Sequence, residues 1–305
     1  MLLMALTVAA SAATLHVEKT GRVGRKIETD FLVADLSQRV INGKQEDSGT
    51  LRALTYKQFG VTLFRHPANG RMHKGASLQR AGAPGYKDLG TWDPVQEIRE
   101  EETGGAYVHR RAGYFADYPE VKMEVDYSFF ADAPYFLVMT RMTVEKPLAV
   151  VLVRNNEMTM NLFFTHVAWP GRDGQVHIAT FEERRPLLQK EPLSAEIPWL
   201  AFLNLDKGFG YGYVMVDSKN SKTVNPGTSI SDGVWARAEM EQRFAEGLGT
   251  ANGKYWSRHM ISGRETPLVP GDRFEERSAY VLFKCSKDQP LSELFDWQKK
   301  ILAQF

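Results

Sequence analysis

The chain has 305 residues and nearly equal charge, with 38 Lys and Arg against 37 Asp and Glu. This balance argues against a nucleic-acid-binding protein, which uses an excess of cationic side chains to displace counterions from phosphates. A single cysteine, Cys285, excludes an intrachain disulfide and a cysteine-based zinc site. The length suits one large domain or two ordinary ones.

The N-terminal segment over 1–13 is apolar and ends in the small residues Ala-Ser-Ala-Ala. It has no basic start, but the pattern otherwise matches a signal peptide, so we expect a periplasmic or secreted protein. A single β-sandwich domain is predicted over 14–305. The segment is too short to span a membrane, and no later segment is long and apolar enough.

Most of the remaining chain alternates apolar and polar residues with a period of two, which predicts half-buried β-strands. The clearest case is 121–129, and similar runs are 26–37, 51–65, 135–145, 148–160, 175–181, 199–218, 233–240, 254–262 and 273–283. Asp-Ala-Pro at 132–134 and Asp-Lys-Gly at 206–208 predict hairpin turns between neighbouring strands. The stretch 69–102 has little periodicity and is predicted to form long loops.

Only one helix is predicted, over 290–305, where Pro290 fits the first turn. Its apolar stripe consists of Leu291, Leu294, Phe295, Ile301, Leu302 and Phe305. Many strands, almost no helix and no internal repeat predict an all-β protein with two large antiparallel sheets packed face to face.

Three motifs resemble galactose-mutarotase-like proteins. Leu-Val-Pro-Gly-Asp at 268–272 precedes the last strand, Thr165-His166 precedes Trp169, and Arg-His-Pro-Ala-Asn-Gly-Arg-Met-His at 65–73 is similar to the family's early Arg/Asn loop. The resemblance implies a β-supersandwich that binds carbohydrate. That fold occurs in epimerases, lyases, glycosidases and non-catalytic binding proteins, so it does not identify the reaction. Mutarotases carry a catalytic Glu before the final turn, but here Arg258 and His259 occupy that region.

The early loop contributes a first group of candidate ligand-binding residues. Imidazole, guanidinium and amide groups together suit a carboxylate-bearing or hydroxyl-rich ligand. The group consists of Arg65, His66, Asn69, Arg71 and His73.

A second group lies on predicted strands. His109 and Tyr114 lie close in sequence to two arginines, and a tyrosine beside a cation can act as a base if its pKa is lowered. Arg154 and Asn156 alternate in the polar run 154–157, which is unusual in an apolar strand. Either the strand ends there, or one face lines a wet cleft.

A third group combines imidazoles with large aromatic residues. His166 lies among aromatic residues, and His259 follows Arg258 close to Trp256. Trp169 and Trp256 can stack on sugar rings, although both residue types also fill β cores. No cofactor is predicted, and scattered His and Glu residues leave a bound metal ion open.

Three functions follow from these residues and the resemblance. The first is an exported lyase that cleaves a uronate-containing glycan by β-elimination. Arg65, Arg154 and Asn156 would neutralise the carboxylate, while the acid and the base would come from His166, His259 and Tyr114. The second is an aldose 1-epimerase-like enzyme with His166 as acid and Glu265 as base. The third is a non-catalytic glycan-binding β-sandwich.

Overall fold

The computed structural model describes residues 13–41, 44–65, 73, 75–92, 94–161, 163–231 and 254–305. The predicted signal peptide lies outside these residues, apart from Ala13, and so does the predicted strand over 233–240. Within the described part of the chain, no helix is long and apolar enough to cross a membrane.

Within the described residues the strands form three antiparallel sheets. The N-terminal sheet contains β1 (Leu15–Lys19), β2 (Arg25–Thr29), β3 (Leu32–Ile41), β4 (Lys44–Tyr56) and β5 (Val61–Arg65) in that order. The small sheet has the order β17-β18-β12-β6-β7 and contains β6 (Ser77–Arg80), β7 (Lys87–Asp88), β12 (Leu148–Met160), β17 (Gly227–Ser231) and β18 (Lys254–Leu268).

The large sheet has nine strands in the order β14-β13-β15-β16-β19-β11-β10-β9-β8. Its strands are β8 (Glu97–Thr103), β9 (Ala106–Phe115), β10 (Tyr118–Phe130), β11 (Tyr135–Val144), β13 (His166–Pro170), β14 (Val176–Thr180), β15 (Trp199–Asn204), β16 (Phe209–Asn220) and β19 (Arg273–Lys284). The described residues contain two α-helices, α1 (Arg184–Lys190) and α2 (Ser292–Leu302), and 3-10 turns at Lys57–Phe59 and Leu89–Thr91.

The predicted all-β sandwich is confirmed, and its second layer is divided between the N-terminal and small sheets. One apolar core joins all three sheets, with Leu54, Met158 and Tyr280 as buried examples from each. Alternation on β10 places its predicted apolar residues in this core, and Val125 and Tyr127 are fully buried. The hairpin turns at 132–134 and 206–208 are also confirmed.

Two sequence predictions were wrong in part. The stretch 69–102 is not simply loop, because β6, β7 and most of β8 lie within it. The polar run 154–157 does not end its strand, because β12 continues to Met160. The strand can include these polar side chains because each has a polar partner.

Helix α2 covers the outer face of the large sheet and creates a second core there. Leu294 and Ile301 are fully buried against Val281 and Phe283 of β19. The helix approaches β16 closely, since a Cβ on Gly212 would lie 2.5 Å from a Leu294 methyl group. The predicted helix is confirmed, but Pro290 lies before its start, and Leu302 and Phe305 are exposed.

We expect Leu294→Ala to lower the free energy of unfolding by about 2–5 kcal/mol, because it leaves a cavity under the helix. Leu302→Ala is the matched control on the exposed side and should change stability by less than about 0.5 kcal/mol. Urea unfolding of both variants measures the difference. If both variants lost the same free energy of unfolding, packing of α2 against the large sheet would not stabilise the fold.

Candidate functional site

The small sheet carries polar residues on both faces of β12 and β18, which are antiparallel neighbours. Asn156, Trp256 and Arg258 face the large sheet. Glu157 and Tyr255 face the opposite way, because successive side chains of a strand alternate between faces. Two separate polar clusters result, which we call the inner network and the Arg154 cluster.

The inner network is centred on the carboxylate of Glu276 in β19. Tyr213 Oη donates to this carboxylate at 2.7 Å, Asn156 Nδ2 at 3.1 Å and Arg258 Nε at 2.8 Å. The Ser278 hydroxyl and Arg258 Nη2 donate as well. Glu276 and Arg258 are fully buried, so this is a paired charge inside the sandwich.

The hydrogen bonds also define the tautomer of His73. Asn156 Nδ2 donates to Glu276, so Asn156 Oδ1 acts only as an acceptor, and His73 Nε2 at 2.6 Å must be its donor. Tyr280 Oη donates to the same oxygen at 2.7 Å. The remaining ring nitrogen, Nδ1, therefore accepts from Tyr127 Oη at 2.8 Å.

The charge states in the inner network follow from these contacts. Burial opposes ionisation of Glu276, but the Arg258 charge and the surrounding donors outweigh it and lower the pKa of that carboxyl. Burial lowers the pKa of His73 to about 4, despite its bond to Asn156. At neutral pH the network therefore contains one ion pair and a neutral imidazole, and both ring nitrogens of His73 have protein partners.

The Arg154 cluster lies on the opposite face of the small sheet. Arg154 Nη1 donates to Glu157 Oε2 at 2.9 Å, and Tyr255 Oη donates to Glu157 Oε1 at 3.0 Å. The Arg154 guanidinium carbon lies 4.8 Å from the centre of the Tyr86 ring. His259 is the cross-strand partner of Arg154.

A break in strand register brings Arg154 to this face. Simple alternation would place Arg154 with Asn156, as the sequence pattern indicates. The pairing of β12 with β18 shifts between Val153 and Asn156, so Arg154 instead bonds to Glu157. A β-bulge redirects side chains in this way, and such bulges are frequent next to functional sites.

The Arg154 cluster retains groups that can bind a ligand. The Arg154 side chain is 14% exposed, while its Nε atom is buried and has no hydrogen-bond acceptor within the described part of the chain. Burial, followed by the Arg154 charge, lowers the pKa of His259 to about 4. Burial and then the Glu157 charge raise the pKa of Tyr255 far above its ordinary value.

His259 and Tyr255 are therefore both neutral at neutral pH. One ring nitrogen of the imidazole can accept a proton, while the phenol retains its own. Ser257 Oγ lies 3.0 Å from His259 Nε2. The other ring nitrogen, Nδ1, has no hydrogen-bond partner among the described residues. Such a pair can accept one proton and donate another.

The structure divides the predicted site residues among several places. His73, Asn156, Trp256 and Arg258 lie together in the inner network, where the Trp256 ring centre is 4.5 Å from that of Tyr213. Arg154 and His259 lie together in the Arg154 cluster. The two groups are separated by the small sheet itself and do not form one hollow.

The remaining described candidates lie elsewhere. His109 is buried on β9 with its Nδ1 3.5 Å from Glu100. Tyr114 donates to Glu145 at 2.8 Å, and this bond raises its pKa, opposite to what a catalytic base requires. His166 begins β13 in the large sheet, where its Nδ1 lies 2.8 Å from Thr165 Oγ1.

Three further sequence candidates fall outside the described residues, and one other, Arg65, is described only in part. Trp169 is buried and stacks on His177, with ring centres 5.5 Å apart, so it fills a hairpin. Arg65 ends β5, and only its backbone is described. The residues outside the described part are His66, Asn69 and Arg71.

Sequence reasoning missed Glu276 and gave Glu157 and Tyr255 no role. Glu276 had a detectable signal, because it occupies an inward position between Phe274 and Ser278 in the alternating pattern of β19. A carboxylate among inward residues indicates a buried partner. The roles of Glu157 and Tyr255 had no such signal, because they depend on the bulge in β12. Within the described residues, no group of three or more metal-ligating side chains is present.

Comparison with known proteins identifies the fold. A predicted aldose 1-epimerase from Klebsiella pneumoniae superposes with a TM-score of 0.51 over 92% of this chain and 83% of that chain, at 10% identity. The fold is galactose mutarotase-like. The galactosidase domain of an α-galactosidase–sucrose kinase matches with a TM-score of 0.50 at 8% identity, over 88% of this chain and 42% of that chain.

A TPR-domain-containing protein from Parabacteroides distasonis also matches, with a TM-score of 0.51 and 10% identity. It aligns over 85% of this chain, which spans less than half of that protein, 46% of its length. No protein-family model and no curated protein sequence matches the chain. The mutarotase-like fold is therefore recognised from structure, at identities that leave the reaction open.

We expect Glu276→Gln to lower the free energy of unfolding by about 3–5 kcal/mol, because it leaves the buried Arg258 charge without a counter-ion. Glu275→Gln is the matched control on the same strand. Its carboxylate pairs with Arg141 at 2.7 Å on the outer face, and its loss should cost at most about 1 kcal/mol. Guanidinium unfolding compares the two, and equal losses would contradict a bracing role for the inner network.

Proposed function

We propose that this mutarotase-like protein is a carbohydrate-active enzyme that binds an acidic sugar at the Arg154 cluster and cleaves the glycan beside it by β-elimination. One observation carries the proposal. A partly exposed arginine side chain, paired with Glu157, lies on the same sheet face as a neutral imidazole and a protonated phenol. The inner network supports this site less well, because the Glu276 carboxylate and both ring nitrogens of His73 are already hydrogen-bonded to the protein.

The elimination needs three groups, and the Arg154 cluster contains each. Arg154 would bind the uronate carboxylate and make the hydrogen on the adjacent carbon more acidic. His259 would remove that proton. The C–H electrons would form a C=C bond as the bond from the neighbouring carbon to the glycosidic oxygen breaks, and Tyr255 would give its proton to the departing oxygen.

Each role agrees with the environment of the side chain. Burial keeps the His259 imidazole unprotonated and able to accept a proton. The raised pKa of Tyr255 preserves its proton until the leaving oxygen needs it. Tyr255 would exchange its hydrogen bond to Glu157 for one to that oxygen. Glu157 would remain paired with Arg154 and hold the guanidinium in place.

An aldose 1-epimerase-like reaction is the second candidate, favoured by the structural likeness to the Klebsiella protein. The residues support it less well. Glu265, the predicted base, is exposed near the C-terminal end of β18, while His166 lies on β13 of the large sheet. Polarimetry of freshly dissolved aldoses tests this alternative, because an epimerase accelerates mutarotation and produces no unsaturated product.

We expect His259→Gln and the double variant Arg154→Gln/Glu157→Gln each to lower kcat/KM for uronate-containing glycans at least about 100-fold. The double variant removes both charges together and leaves no buried ion unpaired. His16→Gln and Arg141→Gln are the controls, because these side chains lie away from the cluster. The assay is the ultraviolet absorbance of the new C=C bond conjugated to the carboxylate. Full activity in both cluster variants would refute the assignment.

The pH dependence of kcat/KM should reflect His259. Activity requires its unprotonated form, so the rate should fall as pH drops through about 4, well below the ordinary imidazole value. Tyr255 must remain protonated, and its raised pKa should prevent an alkaline decline up to about pH 10. Circular dichroism at each pH separates catalysis from unfolding. An acid limb near pH 6.5 would exclude His259 as the base.

A further inference from the structure

A cavity of about 490 Å³ lies beside the Arg154 cluster. Its wall consists of residues 83–87, which run from the β6–β7 loop into the first residue of β7, together with Arg80, Asp117 and Tyr118. Tyr86 belongs to this wall, and its ring also contacts the Arg154 guanidinium. The cavity and the Arg154 cluster therefore share one side chain and are adjacent.

The cavity has the size and chemistry of a sugar-binding pocket. Its volume lies within the range of pockets that hold small ligands. Tyr86 and Tyr118 supply aromatic surface, on which the apolar face of a sugar ring can pack. Cationic groups lie at its edge, where Arg80 bonds to Glu120 at 2.6 Å and Lys87 to Asp117 at 2.6 Å.

The cations at the edge remain accessible. The side chains of Arg80 and Lys87 are 40% and 39% exposed, so each can meet a ligand carboxylate while it keeps its protein partner. An acidic sugar unit could therefore pack on the aromatic residues and pair with the two cationic side chains. A neutral monosaccharide would contact only the aromatic residues.

We propose that this cavity is a second subsite, which binds the next unit of an acidic glycan whose neighbouring uronate occupies the Arg154 cluster. The inference rests on the proposed function and extends it, because it identifies the substrate as an oligomer or polymer of acidic sugars. A single uronic acid would fill only the Arg154 cluster and would bind more weakly than a chain.

Gly85 provides a direct test because it lies in the cavity wall. A Cβ at this position would meet no atom within 4 Å, and its backbone φ is not in the left-handed region. Gly85→Phe can therefore fill the cavity without straining the chain. Gly104, in the β8–β9 turn, has the same open surroundings and no positive φ, so Gly104→Phe is the matched control.

The measurement is calorimetric binding of galacturonate, glucuronate and mannuronate, each as the monomer and as a trimer of the same sugar. We expect at least one trimer to bind the unsubstituted protein about tenfold more tightly than its monomer. Gly85→Phe should abolish most of that ratio, and Gly104→Phe should preserve it.

The outcomes separate this inference from the proposed function. If monomers and trimers bind equally well and Arg154→Gln/Glu157→Gln abolishes both, the second subsite is refuted while the Arg154 site stands. A length-dependent ratio that survives Gly85→Phe likewise places the extra contact outside this cavity and overturns the inference. If none of the sugars binds, both proposals fail.

Discussion

The buried pair of Glu276 and Arg258 is the contact on which the arrangement of the sandwich depends. Glu276 lies on β19 of the large sheet, and Arg258 lies on β18 of the small sheet. Asn156 and His73 extend the network to Tyr127 of the large sheet, and the His73 carbonyl accepts from Thr50 of the N-terminal sheet. Buried charges are tolerated only when they are paired and fully hydrogen-bonded, so these residues fix how the three sheets meet.

Because the inner network is needed to hold the sheets together, it is a poor place to bind a ligand. The donors around Glu276 and both nitrogens of His73 already have protein partners. A sugar at that position would have to replace hydrogen bonds that the sandwich needs. The bulge in β12 supplies an alternative, because it directs Arg154 away from the inner network and towards Glu157 and Tyr86.

The fold and the chemistry are separate matters in this protein. The predicted Klebsiella aldose 1-epimerase and the Parabacteroides TPR-domain-containing protein superpose on this chain at 10% identity, and such likeness describes the backbone alone. The proposed reaction depends instead on local environment. His259 and Tyr255 lie on the same face of β18, and burial pushes their pKa values in opposite directions, so the two side chains can act as base and acid at the same pH.

The sequence by itself determined the all-β class, many of the strands, two hairpin turns and the C-terminal helix. These features follow from periodicity and turn residues, which are properties of neighbouring positions. It also placed His73, Asn156, Arg258, Arg154 and His259 among the important residues. Only the tertiary structure decided how they group, because a register shift in β12 and the pairing of β12 with β18 assign them to opposite faces of one sheet. Periodicity cannot reveal that division, since a bulge moves a side chain to the other face without changing residue composition, and contacts such as Glu276–Arg258 depend on how separate sheets pack.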